Sequence, residues 1–269
     1  ASLPNYHKII FNFTHIKTIV KPLWIAYNKG VGCKIILYQY MPIINVIILT
    51  ATFCNLFLGF LVLLKDPKKR LNLFFGIFCF ICSFWIMANF LLFTSPSVFW
   101  LQSTYSFGAL AASASIFLGL EITNKKITKI KAGLFSFFGI LFFIACYFGF
   151  KMPPLTPSEL SQLYSSGIEI KNSLPFFISY IIYVAGAILY TISLLVSGYR
   201  HASNDIIKKQ LGYILTGISL NGLFIIVASF ILPLFGFYAW SSTLDSPSSL
   251  FLIAFSTVAI TRYRLFEIK

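Results

Sequence analysis

Long apolar segments alternate with short polar ones along most of this chain. Seven of the apolar segments are about 20 residues long, which is the length an α-helix needs to cross the hydrocarbon core of a bilayer. The pattern therefore predicts an all-α membrane protein, a bundle of seven transmembrane helices. The predicted spans lie at about 42–64, 73–93, 100–122, 132–150, 174–197, 211–235 and 248–260.

Residues 1–40 do not follow this pattern. They contain five Lys, no Asp or Glu, and no apolar segment long enough to span a membrane. Three interpretations remain open: a loose extracytoplasmic tail, a basic segment at the membrane interface, or sequence upstream of a later start at Met41. The predicted organisation is therefore a basic N-terminal tail at 1–40 and a membrane domain at 41–269.

Composition agrees with a membrane protein. Only 10% of the 269 residues are charged and the mean hydropathy is +0.85, whereas a soluble domain carries about 25% charged residues. The net charge of +14 does not indicate nucleic-acid binding, because the basic residues fall in short loops between the apolar segments. We expect the lipid bilayer, and no nucleic acid, as a partner.

The distribution of Lys and Arg predicts the orientation. The loops after the first, third and fifth spans, together with the C-terminal segment, hold fourteen basic residues, and the opposite loops after the first span hold only Lys151 and Lys171. Cytoplasmic loops carry the excess of positive charge. We therefore expect the N-terminus outside, the C-terminus in the cytoplasm, and insertion in the inner, or cytoplasmic, membrane.

Small residues recur every three or four positions along the third span. Such a face lets membrane helices approach closely, and it favours a central position for this helix, although Ala and Ser are also common in membrane helices generally. The predicted helix-packing residues are Gly108, Ala111, Ala112, Ser115 and Gly119.

Groups that support catalysis or metal binding are not evident in the spans. No ionisable side chain falls in the central part of a predicted span, and all three His lie outside the spans. Cys79 and Cys82 have the spacing of a redox or zinc motif, but they lie inside an apolar segment and behave there as small hydrophobes. We predict no catalytic residue, no metal site and no cofactor.

Polar and aromatic residues toward the outer half of the predicted bundle are candidates for a ligand site. An uncharged amide within a span must form hydrogen bonds with another helix or with a ligand. Hydrogen bonding between helices is therefore the alternative to ligand binding for these residues. Tyr and Trp near span ends also serve as interface anchors. The candidates are Trp85, Asn89, Gln102, Tyr105, Tyr180, Tyr183 and Asn221.

Three stretches suggest a family when they are taken in order. They are LFLGFLVLLKDPKKRLNLFFGIFCF followed by Trp85, RHASNDIIKKQLGYILTG at the entry to the sixth span, and the closing AITRYRLFEIK. The chain from about Met41 to Lys269 resembles the N-terminal seven-helix membrane region of bacterial and archaeal sensor histidine kinases. Residues 1–40 fall outside this resemblance.

The resemblance implies a sensor or input module of a two-component system. Its expected partners are a small ligand, a second copy of the chain, and a cytoplasmic histidine kinase or signalling domain in cis or in trans. These 269 residues hold no phosphoacceptor helix pair and no ATP-binding domain, so we expect no enzyme activity from them. The alternative is a small transporter or channel component, although no internal repeat supports it.

The end of the seventh span is the expected signal exit. No Gly or Pro follows the span, so the helix can continue past the membrane surface, where basic residues meet the anionic inner leaflet. An ordinary positive-inside stop signal explains the two Arg equally well. The predicted exit residues are Arg262, Tyr263, Arg264 and Phe266.

Overall fold

A computed structural model describes residues 32–95, 97–125, 128–149, 174–232 and 238–263. The chain divides into two compact units, Ala1–Asn45 and Val46–Lys269, and the contacts described below belong to the second. All regular structure in the described residues is helical. The helices are α1 (Gly32–Lys65), α2 (Arg70–Thr94), α3 (Val98–Ile122), α4 (Lys129–Gly149), α5 (Leu174–His201), α6 (Asp205–Ile225, continued by a π-helical turn at Ile226–Ile231) and α7 (Tyr238–Tyr263).

The helices are long and apolar enough for a bilayer. Among the described residues, five segments meet the length and composition of a membrane span: Ile43–Lys65, Arg70–Leu92, Val98–Ile122, Pro175–His201 and Asp205–Ile231. A shorter apolar helix, Ala132–Phe148, adds to them. The prediction of an all-α membrane protein is confirmed.

The outer surface of the bundle is apolar, as lipid contact requires. Leu64, Ile130 and Phe148 each expose more than three quarters of their surface, and Val46 and Ile182 expose more than 60%. A soluble monomer rarely exposes large contiguous apolar patches. In a bilayer these side chains contact lipid tails instead of water.

Helix α3 occupies a central position, because it packs against α2, α4 and α5. Helix α6 packs against α5 and α7, and α7 also contacts α2. Helix α1 joins through polar contacts: Ser83 on α2 donates to the Thr52 carbonyl at 3.4 Å, and Asn55 donates to Ser249 Oγ on α7 at 3.4 Å. Apolar side chains gain little by leaving lipid for a neighbouring helix, so hydrogen bonds between polar side chains help to hold these helices together.

The start of α7 differs from the sequence prediction. The seventh span was expected at 248–260, after a loop containing Asp245 and Pro247, but the helix begins at Tyr238 and includes both residues. A proline inside a helix removes one backbone hydrogen bond. Serine hydroxyls bind the backbone close to the proline, since Ser248 Oγ donates to the Asp245 carbonyl and Ser249 Oγ to the Ser246 carbonyl. Membrane helices tolerate proline when such groups bind the nearby backbone.

The contact between α6 and α7 depends on Gly217. A Cβ atom at this position would lie 3.0 Å from Phe255 Cβ and 3.3 Å from Leu252 Cα. Neither neighbour can move without moving α7. We expect Gly217→Ala to lower the free energy of unfolding by about 1–3 kcal/mol, as overpacked cores do, in an SDS titration of the purified protein.

Gly186→Ala is the matched control for this variant. Gly186 is also helical, but a Cβ atom there would meet nothing within 4 Å. Because glycine weakens a helix relative to alanine by about 0.5–1 kcal/mol, this variant should be as stable as the parent or slightly more so. Equal losses in both variants would contradict the close approach of α6 and α7.

Candidate functional site

A cavity of about 90 Å³ lies between α2, α3, α5, α6 and α7. Most of its wall is apolar, and polar atoms enter it from all five helices. Ligand pockets commonly combine an apolar wall with a few polar groups that orient the ligand. The polar and aromatic side chains in the wall include Trp85, Asn89, Thr104, Tyr105, Tyr180, Asn221, Ser229 and Asp245.

Five of the seven predicted ligand candidates line this cavity. They come from four helices: Trp85, Asn89, Tyr105, Tyr180 and Asn221. Tyr105 packs edge-on against Tyr180 with ring centroids 5.2 Å apart, which joins α3 to α5 on the cavity wall. The structure therefore brings together residues that are spread over more than 130 positions of the sequence.

The other two candidates, Gln102 and Tyr183, lie outside the cavity wall and connect helices. Gln102 Nε2 donates to the Tyr147 carbonyl at 2.8 Å, which links α3 to α4. The Tyr183 hydroxyl pairs with Ser113 Oγ, and its ring stacks on Phe142 at 4.5 Å. These side chains have the helix-pairing role that competed with ligand binding at the sequence level.

The small-residue face of α3 contributes to the cavity as well as to packing. Gly108, Ala111, Ala112 and Ser115 all lie in the wall. A Cβ atom at position 108 would lie 2.5 Å from the Tyr180 hydroxyl and 3.6 Å from Trp85 Nε1. One turn beyond Ser115, a Cβ atom at Gly119 would lie 3.2 Å from Thr191 Cγ2 on α5. The small residues along α3 thus let side chains of α2 and α5 approach its backbone closely.

Asp245 is the residue of the candidate site that the sequence analysis did not select. Only 5% of it is exposed, and it lies in the cavity wall. Ser229 Oγ on the π-helical turn donates to its Oδ2 at 2.9 Å, and Ser246 Oγ donates to its Oδ1 at 3.1 Å. Because Asp245 was assigned to a loop, the spans were expected to contain no ionisable group in their central parts. The run of serines around Pro247 is typical of a loop in water, so no signal in the local sequence placed Asp245 in a helix.

Asn89 and Asn221 tie α7 to its neighbours beside this carboxylate. Asn89 Nδ2 on α2 donates to Ser246 Oγ at 3.0 Å, so a hydrogen-bonded chain runs from Asn89 through Ser246 to Asp245. On the other side, the Ser248 hydroxyl lies 2.7 Å from Asn221 Oδ1 on α6 and shares its one proton between this oxygen and the Asp245 carbonyl. Three helices therefore meet through side-chain hydrogen bonds at the level of the cavity.

Two polar atoms of the wall are buried without a hydrogen-bond partner among the described residues. They are Asn89 Oδ1 and Thr104 Oγ1. Buried polar atoms normally have a partner, in the protein or in a bound molecule. The site therefore offers hydrogen-bond acceptors that the surrounding residues do not use.

The predicted exit residues divide between described and undescribed parts of the chain. Arg264 and Phe266 lie outside the described residues. Tyr263 ends α7 and stacks on Tyr213 of α6 with centroids 5.3 Å apart. Gln210 Nε2 donates to the Tyr263 carbonyl at 2.6 Å, and the Arg262 guanidinium lies 6.0 Å from the Tyr263 ring. The end of α7 is thus held against the start of α6.

No arrangement for binding a metal ion occurs in the part of the chain that the structure describes, where no three His, Cys, Asp or Glu side chains form a group that could hold one. Cys79 and Cys82 are both buried in the apolar core of α2 as free thiols. The chemistry that the cavity offers is hydrogen bonding and charge pairing with a small molecule.

Comparison with known proteins identifies the family. A family model described as the N-terminal 7TM region of histidine kinase matches residues 47–269. No curated protein and no solved structure matches the chain. The matched segment contains α2 to α7 and nearly all of the part of α1 in the second unit. The chain belongs to the family of N-terminal seven-transmembrane regions of histidine kinases.

Proposed function

We propose that this chain is the membrane-embedded input module of a two-component signalling system. It passes an external or membrane signal to a cytoplasmic histidine kinase, attached in cis or bound in trans. The observation that carries the proposal is the cavity, in which polar groups from five helices converge inside an otherwise apolar bundle. Polar groups within membrane spans are costly and are commonly retained for function.

A ligand in this cavity contacts all the helices that would have to move. It can change the arrangement of the bundle only if it binds one arrangement more tightly than another. Asp245 and Tyr263 lie on the same helix, 18 residues apart, which corresponds to about 27 Å along the axis. A rotation or shift of α7 at the cavity therefore reaches the end of the helix directly.

The contacts of Tyr263 determine how that movement leaves the membrane. Because Gln210 and Tyr213 bind the end of α7, α6 and α7 move as a pair in this mechanism. The pair of helices thus carries the output toward the kinase.

A cavity-filling variant tests the proposal. A kinase core is fused after Lys269, and autophosphorylation is measured in membranes for the parent and for Gly108→Leu, whose side chain would enter the space between Trp85 and Tyr180. Couplings between sites are typically 1–3 kcal/mol, so we expect kinase activity to change about fivefold or more. The control is Gly186→Leu on the open side of α5, which should leave activity unchanged. Unchanged activity in Gly108→Leu would contradict the proposal.

The orientation is part of this proposal, and cysteine labelling tests it. Ser165, which lies outside the described residues, and Thr128, which precedes α4, fall in loops on opposite sides of the membrane in the proposed topology. A membrane-impermeant thiol reagent added to intact cells should label Ser165→Cys and spare Thr128→Cys. After the membrane is permeabilised, both should react. Labelling of Thr128→Cys alone in intact cells would reverse the direction of signalling.

One observation favours the alternative of a transporter or channel component. The π-helical turn of α6 and Pro247 of α7 make two helices irregular beside the cavity, and transporters place discontinuous helices at their binding sites. An input module should not catalyse flux. If reconstituted vesicles took up small solutes and Gly108→Leu blocked this uptake, the result would favour the transporter over the input module.

A further inference from the structure

The cavity of the proposed input module contains an acidic group, and the described part of its wall holds no basic side chain. Asp245 is 95% buried, and none of the described residues in the wall is Lys, Arg or His. Removing a carboxylate from water is costly unless a cation or hydrogen bonds compensate for it. The two serine hydroxyls compensate only in part, so the site favours a positively charged ligand.

The hydrogen bonds around Asp245 suit an ionised carboxylate. Ser229 donates to one carboxylate oxygen and Ser246 to the other. An ionised carboxylate only accepts hydrogen bonds, which matches these two hydroxyl donors. Asn89 Oδ1 and Thr104 Oγ1 are two further buried acceptors of the wall without a partner among the described residues. A ligand with several N–H donors can supply hydrogen bonds to these oxygen atoms.

Aromatic side chains line the same cavity as Asp245. The Tyr180 hydroxyl and Trp85 Nε1 both lie close to Gly108, and Tyr105 packs against Tyr180. Organic cations are attracted to the faces of Trp and Tyr rings, and aromatic cages are the usual recognition site for methylated ammonium groups. Hard metal ions such as Mg²⁺ and Ca²⁺ instead need about six or more oxygen ligands around one point, and Asp245 is the one carboxylate among the described residues of the wall.

The size of the cavity limits the ligand. An engineered cavity of about 150 Å³ binds one benzene molecule, and the present cavity has about 90 Å³. We infer that the cavity binds a small organic ammonium ion of a few non-hydrogen atoms, with the Asp245 carboxylate as its counter-ion and Trp85 and Tyr180 around its apolar part. This inference names the ligand class of the proposed input module, and so it rests on that proposal for its biological meaning.

The test is a binding measurement on the full chain in lipid nanodiscs. Tert-butylammonium chloride is titrated calorimetrically and compared with tert-butanol, its uncharged isostere, and with sodium chloride at equal ionic strength. We expect saturable binding of tert-butylammonium only. Asp245→Asn keeps the shape of the side chain and should weaken binding about thirtyfold or more, because it leaves a buried charge without its partner. Asp205→Asn, at the exposed start of α6, should bind as the parent does.

Several results would overturn the inference. They are no saturable binding of tert-butylammonium, equal heats from tert-butanol, saturation by sodium chloride, or unchanged binding in Asp245→Asn. If Asp245→Asn cannot be purified, the comparison of tert-butylammonium with tert-butanol on the parent still decides. The measurement needs no kinase, so failure of the input-module proposal would leave the binding result intact. If tert-butylammonium did not bind but Gly108→Leu still changed the activity of the kinase fusion, the ammonium ligand would be ruled out and the input-module proposal would stand.

Discussion

The Asp245→Lys variant is expected to lose at least about 3 kcal/mol of its free energy of unfolding. Replacing the negative side chain by a positive one leaves a buried charge without a compensating partner, and such a charge typically costs about 3–5 kcal/mol. Here the new ammonium group would face two serine hydroxyls that now donate to the carboxylate, in a wall whose described residues include no Glu and no second Asp. An SDS titration of the purified protein measures the loss.

Asp205→Lys makes the same chemical change outside the bundle interior. Asp205 is exposed at the first turn of α6, where an acidic side chain interacts with the helix dipole by about 0.3–1 kcal/mol. We therefore expect this variant to lose no more than about 1 kcal/mol. Equal losses of unfolding free energy in Asp245→Lys and Asp205→Lys would contradict the burial of Asp245 and its place in the cavity wall.

Changing Lys65, Lys68, Lys69 and Arg70 to Glu is expected to disrupt membrane insertion of α1 and α2 in most molecules. Each basic residue near an anionic membrane surface is worth about 1 kcal/mol. Four such residues together therefore favour the proposed orientation by about 4 kcal/mol, which corresponds to about a thousandfold preference. The thiol-labelling pattern of Ser165→Cys and Thr128→Cys reports the outcome.

The structure of the loop explains why these four charges act together. Asp66 organises a tight turn between α1 and α2: its Oδ1 accepts from the Lys68 backbone N–H at 3.1 Å, and its carbonyl accepts from Asn72 Nδ2 at 3.1 Å. The same number of Lys→Glu changes within residues 1–40 is the control. It should disturb insertion less, because only Lys29 and Lys34 of that segment are near the first predicted span. Equal disturbance by both sets would contradict the role of the loop.

Hydrophobic length alone located most of the helices. The second span was expected at 73–93 and α2 runs Arg70–Thr94; the third was expected at 100–122 and α3 runs Val98–Ile122. These segments are apolar throughout and end at turns or basic loops, so local composition is sufficient. Their helices extend a few residues farther than the apolar runs, because polar end residues can stay helical at the interface.

The seventh helix could not be located in the same way. Its first turns contain several hydroxyl side chains, Asp245 and Pro247, a composition typical of a loop in water. Hydroxyls of the helix itself bind the carbonyls of Asp245 and Ser246, and Ser229 on the neighbouring helix binds the Asp245 carboxylate. Tertiary contacts thus decide the structure here, and no window of sequence contains them.

The candidate site was predictable in its residue types and not in its geometry. Asn89 stands out in the sequence because an amide in an apolar span needs a partner, but its partner, Ser246, is 157 positions away. The same reasoning selected Gln102, whose partner is a backbone carbonyl of α4 and not a ligand. Amides that pair helices and amides that face a cavity look alike in a sequence, and only the packing of five helices separates them.

The central claim is that movement at the cavity leaves the membrane through α7, and a register series tests it most directly. A kinase core is fused after Lys269 with no, one, two, three or four alanines at the junction, and autophosphorylation is measured in membranes. Each alanine turns a helix by about 100° and extends it by about 1.5 Å. The account predicts activity that rises and falls with the helical period, so that the junction with four alanines resembles the one with none. Equal activity at every junction would contradict transmission through α7 and leave that helix as an anchor.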